Sequence, residues 1–236
     1  MKGAPEPELG GEEELDSQGR PLRWLSTTAL LFAYSPLTRP MNGNAQPVRH
    51  NPVVAPRRQF KAGIQHYASL IEEFSARYNL DSALVYAIVH SESNFSPGLV
   101  SHKSAMGLMQ LLPSTANGEV HRFLYGRRGS VSYEQLRIPE INIRFGTAYL
   151  HILFTRYFSG VNNPISREYC TVAAYNMGPN GFLRTYGKNP GEAIARINEM
   201  SPDELFASFA QRLPQRETRQ YVVKVRNAKQ MFMARR

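Results

Sequence analysis

Hydrophobic positions first fall into a regular order near residue 64. Ile64, Tyr67, Leu70, Ile71 and Phe74 recur at three- and four-residue steps, the spacing of an amphipathic helix. Asp81 is placed to cap a second helix through Ala83, Leu84, Ala87 and Ile88, which ends near Glu92 where Asn94 to Pro97 break the pattern. A short apolar helix is predicted over 104–112, stopped by Pro113, with Ser114 or Thr115 available to cap another. Beyond a Gly-rich loop at 126–130, the period returns as a long helix over 140–158. A further helix over 165–176 is ended by Gly178 and Pro179, and two or three more are predicted at about 190–199, 202–211 and 214–233. Alternating β-branched runs are scarce and no internal repeat occurs, so the expected fold class is mainly α.

Upstream of residue 59 the pattern is lost. Residues 35–58 are crowded with Pro, Gly and Asn and read as a linker. Residues 1–20 are acidic, rich in Gly and Pro, and expected to be disordered. Between them lies an apolar stretch, Trp24 to Tyr34, behind the basic Arg20-Pro21-Leu22-Arg23. Its length and flank suit an export or anchoring segment, whereas the acidic leader ahead of it does not, and a remnant of a truncated upstream domain is the other reading. With no cysteine nearby, a lipoprotein anchor on this segment is not expected. The expected division is an extension and linker over 1–58 and a folded unit over 59–236.

Composition adds exclusions. The 236 residues are 42% hydrophobic and 20% charged, with a mean hydropathy of −0.39, and no apolar run approaches the ~20 residues of a membrane-spanning helix. The single cysteine, Cys170, rules out an intramolecular disulfide and a thiolate-clustered metal site, and is expected as a buried thiol. The six histidines show no metal-ligand spacing, and no phosphate-binding Gly-x-x-x-x-Gly-Lys loop occurs. Net charge is +9; six acids against two bases in residues 1–20 leave 26 bases against 13 acids in the rest. Such a field favours polyanionic partners, whether nucleic acid, an anionic envelope polymer or an acidic membrane surface, and net charge alone does not choose among them; on the sequence as a whole nucleic acid is not expected. The C-terminal bases Lys224, Arg226, Lys229, Arg235 and Arg236 read as a solvated face.

Glu92 is the first candidate for chemistry. At the C-terminal end of a predicted core helix, a carboxylate is partly desolvated and faces the negative end of the helix dipole. Both effects raise its pKa, as a general acid near neutral pH requires. A helix-end glutamate turned to solvent is the plain alternative. After Glu92 the next acid is Glu119, so a second carboxylate for ordinary two-carboxylate hydrolysis would have to come from a distance, from Glu134, Glu140 or Glu168.

Four motifs then occur in order: Glu92-Ser93-Asn94-Phe95, Gly107-Leu108-Met109-Gln110, Ala174-Tyr175-Asn176-Met177-Gly178 and Glu217-Thr218-Arg219-Gln220-Tyr221. Together they resemble the soluble lytic transglycosylase (SLT) domain, a goose-type-lysozyme-like family that cleaves peptidoglycan. The 82–94 block, Phe123-Leu124-Tyr125-Gly126 and the run Ile141 to Leu150 look most similar to the membrane-bound lytic murein transglycosylase C type. The resemblance spans about residues 60–230 and implies a lysozyme-like helical domain with an active-site groove. It also implies a periplasmic setting in the bacterial cell envelope and glycan strands as partner, with no metal or organic cofactor.

For the residues, it implies Glu92 as the single general acid and base. Glu92 protonates the glycosidic oxygen between N-acetylmuramic acid and N-acetylglucosamine, the N-acetyl group assists at C1, and the 6-hydroxyl closes a 1,6-anhydro ring. Gln110, Tyr175 and Asn176 are expected to line the groove, Ser101 to aid the N-acetyl group and Tyr221 to hold the Glu92 carboxyl. Phe95 and Tyr186 are candidate sugar-stacking platforms. Lys103 stands where many relatives carry serine, and a cation there would oppose protonation of Glu92. A hydrolytic muramidase and a non-catalytic peptidoglycan-binding module are the competing readings.

Overall fold

The computed structural model describes residues 56–234, so the acidic leader, the apolar stretch and nearly all of the linker lie outside the described residues. Eleven α-helical segments follow in order: α1 (Pro56–Arg77), α2 (Ser82–Ser93), α3 (Pro113–Thr115), α4 (His121–Tyr125), α5 (Tyr133–Leu136), α6 (Pro139–Ile152), α7 (Pro164–Met177), α8 (Pro179–Leu183), α9 (Pro190–Asn198), α10 (Pro202–Arg212) and α11 (Arg216–Met233). Single π turns, Ala116–Val120 and Leu153–Tyr157, extend α3 and α6. The only β pairing among the described residues is two isolated bridges, Val100 with Met106 and Met106 with Leu111.

The starts of the helices follow directly from sequence chemistry. Pro139, Pro164, Pro179, Pro190 and Pro202 each open a helix, where the missing N–H costs nothing and the fixed φ suits the first turn. Asp81, Asn163, Asn189 and Ser201 supply side-chain caps, the first by accepting from Ala83 N at 3.0 Å.

α2 sits at the centre. Every residue from Ser82 to Val89 is buried, so the helix is surrounded on all sides rather than laid on a surface. It packs against α1 and α11, while α7 packs on α11 and α6 on α1. Lys229 of α11 locks this arrangement by pairing with Asp81 at 3.0 Å and Glu168 at 2.7 Å. The expectation of a wholly solvated C-terminal basic face therefore fails for Lys229, and also for Lys224, whose Nζ donates to Ser91 O at 2.6 Å.

The predicted helix over 104–112 does not form. The segment is a buried loop: Ala105 to Leu111 are all buried, while Ser104, Gly107 and Gln110 hold φ of +62°, +76° and +48°. Its apolar composition reflects burial, not helical period. A buried loop must still satisfy its backbone polar groups, and Asn142 of α6 does much of this. Asn142 Oδ1 accepts from Met109 N at 2.7 Å, and Nδ2 donates to Met106 O at 2.8 Å and Leu136 O at 2.7 Å. A Cβ on Gly107 would stand 2.4 Å from Asn142 Nδ2, so only glycine fits there. The same holds at Gly146, where a Cβ would meet Met109 Sδ at 2.4 Å.

Candidate active site

Glu92 is the penultimate residue of α2, and the last turn of that helix is held from two directions. Ser93 Oγ donates to Leu108 O at 2.8 Å, joining the helix end to the buried loop, and Lys224 of α11 satisfies the Ser91 carbonyl. Asn94, with φ +49°, turns the chain away and its N–H bonds His90 O. The Glu92 carboxyl thus ends at the seam between α2, α11 and the loop. It keeps some solvent contact while protein surrounds it on most sides.

Tyr221 of α11 donates its hydroxyl to Glu92 Oε1 at 2.7 Å. Burial is the largest influence on the carboxyl and pushes its pKa up to about 8; the Tyr221 hydrogen bond and the Lys224 charge pull it down, and the Glu217 charge pushes it up. The group is therefore protonated at neutral pH and can give a proton. Once it has done so, the anion meets a hydroxyl donor and an ammonium already in place, so it can survive long enough to take a proton back.

Of the remaining sequence-predicted residues, Tyr175 stands nearest to this centre by its electrostatic interaction with Glu92. Tyr175 is fully buried, donates to Met109 O at 2.8 Å and lies within electrostatic reach of Glu92; burial first, then the Glu92 charge, drives its hydroxyl pKa well up. Asn176 is buried and accepts from Thr218 Oγ1 at 2.7 Å, tying α7 to the first turn of α11, while its Nδ2 has no partner. Gln110 is buried, with Nε2 donating to Leu99 O at 3.0 Å and Gly107 O at 2.8 Å. Ser101 Oγ accepts from Ala105 N at 2.9 Å and closes its own turn. Gln110 and Ser101 thus spend these contacts on the loop itself.

Phe95 and Tyr186 do not present ring faces to a groove. Phe95 is 5% exposed and packs on Phe232, and Tyr186 is fully buried with its hydroxyl 2.6 Å from Ser208 Oγ. Their aromatic character serves the core. Lys103 is exposed; the charges that act on Glu92 are Lys224 and Glu217 instead. The more distant acids have other duties: Glu119 meets Arg156 and Tyr157, and Glu168 meets Lys229.

Glu217, Lys224 and Asn142 are the residues that sequence reasoning missed in these roles. Glu217 and Lys224 act across more than 120 positions, which no local period reveals. Asn142 did carry a signal, because a polar residue shares the helix row of Gly146 and Tyr149, which is buried. Among the described residues, no group of three or more His, Cys, Asp or Glu is placed to hold a metal ion.

The chain and its fold are similar to known proteins. A curated relative from Edwardsiella ictaluri, named membrane-bound lytic murein transglycosylase C, is 34% identical across 98% of this chain and 65% of its own length. Another of that name from Yersinia pestis is 36% identical across 96% of this chain and 63% of its own. The chain thus spans a little under two thirds of these relatives. Among solved structures, the 70 kDa soluble lytic transglycosylase SLT70 of Escherichia coli aligns with a TM-score of 0.56 and 27% identity, over 75% of this chain and 30% of that one. An inactive glutamate-to-glutamine mutant of the lytic transglycosylase Slt from Pseudomonas aeruginosa aligns at 0.54 and 30% identity, over 70% and 23%. The family model for the transglycosylase SLT domain matches residues 69–198, more than half of the sequence, and this chain belongs to that family.

Proposed function

We propose that this protein is a peptidoglycan lytic transglycosylase with Glu92 as its single general acid and base. The observation that carries the reading is the largely enclosed Glu92 carboxyl, held at 2.7 Å by Tyr221 and pushed by burial up to a pKa of about 8, with the Lys224 charge acting on it. In the first step the Glu92 proton passes to the glycosidic oxygen as the C1–O bond breaks and the muramoyl N-acetyl oxygen bonds to C1. In the second, the muramoyl 6-hydroxyl attacks C1, expels the N-acetyl oxygen and returns its proton to Glu92. No water is consumed, and the product carries a 1,6-anhydro end. Gln110, Tyr175, Asn176 and Ser101 act in this reading mainly by shaping the loop and helix ends around the acid.

The family and the relatives' names support this assignment, as does the loss of activity stated for the glutamate-to-glutamine mutant of the Pseudomonas enzyme. The working unit is taken as residues 59–236, following an extension over 1–58. Its setting is the bacterial cell envelope, in the periplasm, in keeping with relatives named membrane-bound. No helix among the described residues is long and apolar enough to cross a membrane.

One observation favours a second reading. Glu217 lies close enough to act on Glu92 by charge, and a second carboxylate at the site is what a hydrolytic muramidase would use to activate water. Mass spectrometry of products from purified sacculi separates the two, because the anhydro product is lighter by one water. Glu92→Gln is expected to lower product release by about 10²–10⁴-fold. Unchanged release would remove Glu92 from the mechanism, and no release by either form would leave a binding module.

A further inference from the structure

Away from Glu92, the strongest unclaimed cluster of side chains lies around Tyr125 and Arg144. The Arg144 guanidinium stacks over the Tyr125 ring at 5.1 Å, and that ring is 46% exposed. Arg144 is half-buried, and its buried Nε has no hydrogen-bond partner. Glu140, one helical turn earlier, makes no ion pair with it.

The adjoining loop brings further positive charge to the same end. His121 packs on Tyr125 with ring centroids 4.6 Å apart, and its Nδ1 lies 3.0 Å from Arg127 O, so the chain after α4 folds back over that helix. Arg122, Arg127 and Arg128 are exposed, and none of the three is ion-paired among the described residues. By contrast, Arg77, Arg156 and Arg196 each have a carboxylate partner.

An arginine stacked on an aromatic face, with its planar fork unspent, is preorganised for two parallel hydrogen bonds to a carboxylate. The stack fixes the guanidinium before binding, so less side-chain entropy is lost on contact. Arg144 also stands two residues beyond Asn142, roughly 200° around α6 from the side chain that holds the buried loop. The cluster therefore lies across one helix, a span of about 10 Å, from the loop that frames Glu92.

Building on the peptidoglycan reading above, we propose that Arg144 and Tyr125, with Arg127 and Arg128, form a ledge that binds carboxylates of the stem peptides on glycan strands. Arg144 takes a carboxylate through its fork, the open part of the Tyr125 ring receives the apolar side of the peptide, and Arg127 and Arg128 supply longer-range attraction. The ledge holds a strand without taking part in bond cleavage.

The test measures co-sedimentation of the full chain carrying Glu92→Gln with intact sacculi and with sacculi whose peptides an amidase has removed. Stripping the peptides is expected to weaken binding by about tenfold or more, and Arg144→Ala to weaken binding to intact sacculi to a similar degree. The double variant Arg127→Glu with Arg128→Glu changes only exposed side chains, so it tests the ledge without a risk to folding, and it is expected to bind intact sacculi several-fold less well. Equal binding to intact and stripped sacculi overturns the proposal. So does arginine-dependent binding to anionic phospholipid vesicles without dependence on the peptides, which would assign the cluster to phosphate. Release of anhydro products by the Glu92-bearing chain is scored separately. If it occurs while sacculus binding ignores these arginines, the ledge fails and the transglycosylase reading stands; if it does not occur while peptide-dependent binding persists, the reverse holds.

Discussion

The two structures that meet at Glu92 are built on opposite principles. α2 is a regular helix buried on every side, its backbone satisfied internally and its ends closed by Asp81 and Lys224. The loop from Ala105 to Leu111 is equally buried but irregular, and relies on one side chain of α6, Asn142, for two of its hydrogen bonds. The helix provides a rigid base for a proton donor whose position must not drift. The loop provides close backbone approach and carbonyls turned outward, with Met109 O and Leu108 O receiving Tyr175 and Ser93. A buried site needs both, because a helix alone has no free carbonyls along its length to anchor neighbours.

The contrast can be broken most severely at the loop. Asn142→Ala removes three buried hydrogen bonds and takes away the side-chain partner of Met109 N and of Leu136 O, while Met106 O keeps its bond from Leu111 N. Destabilisation of about 3–6 kcal/mol is expected, read from chemical denaturation at fixed pH. A loss below about 1 kcal/mol would mean that water or another group replaces the asparagine.

On the helix side, Glu92→Gln should stabilise the fold while it abolishes catalysis. The Glu92 pKa is raised from 4.5 to about 8, so the native state binds more protons than the unfolded state between those values. Stability contributed by the protonated group is fully present below about pH 4.5 and is lost as pH rises towards 8. Glutamine removes that penalty, so the melting-temperature difference between variant and parent should be small at pH 4 and should grow by pH 9 to the equivalent of a few kcal/mol, on the order of 2–4. A difference that does not change with pH would show that the carboxyl is not desolvated.

The smallest effects sharpen the site itself. Lys224→Met removes a charge that favours the Glu92 anion, and Glu217→Gln removes one that opposes it. The alkaline limb of the pH–rate profile should move up in the first and down in the second, by roughly a unit or less. Shifts of the same sign in both variants would contradict the electrostatic account.

The sequence made the helical frame legible because periodicity and proline placement are local properties. It made Glu92 legible because the end of an apolar helix is a recognisable environment. The buried loop was misread because an apolar run of nine residues looks the same whether it coils or merely hides, and only positive φ at Ser104 and Gln110, which no local rule required, distinguishes the two. The pairing of Tyr221 with Glu92 came from family resemblance, since 129 positions separate them. Phe95 and Tyr186 were overvalued as platforms because aromatic residues suit a core and a sugar equally well until burial is known.

The groups that tune Glu92 all reside on α11, near the far end of the chain. A chain cut before residue 217 would therefore lack the hydroxyl donor, the ammonium and the second carboxylate that act on the Glu92 carboxyl. Under the proposed reading, the surroundings of the acid are complete only once α11 docks on α2, so that docking is also its arming step.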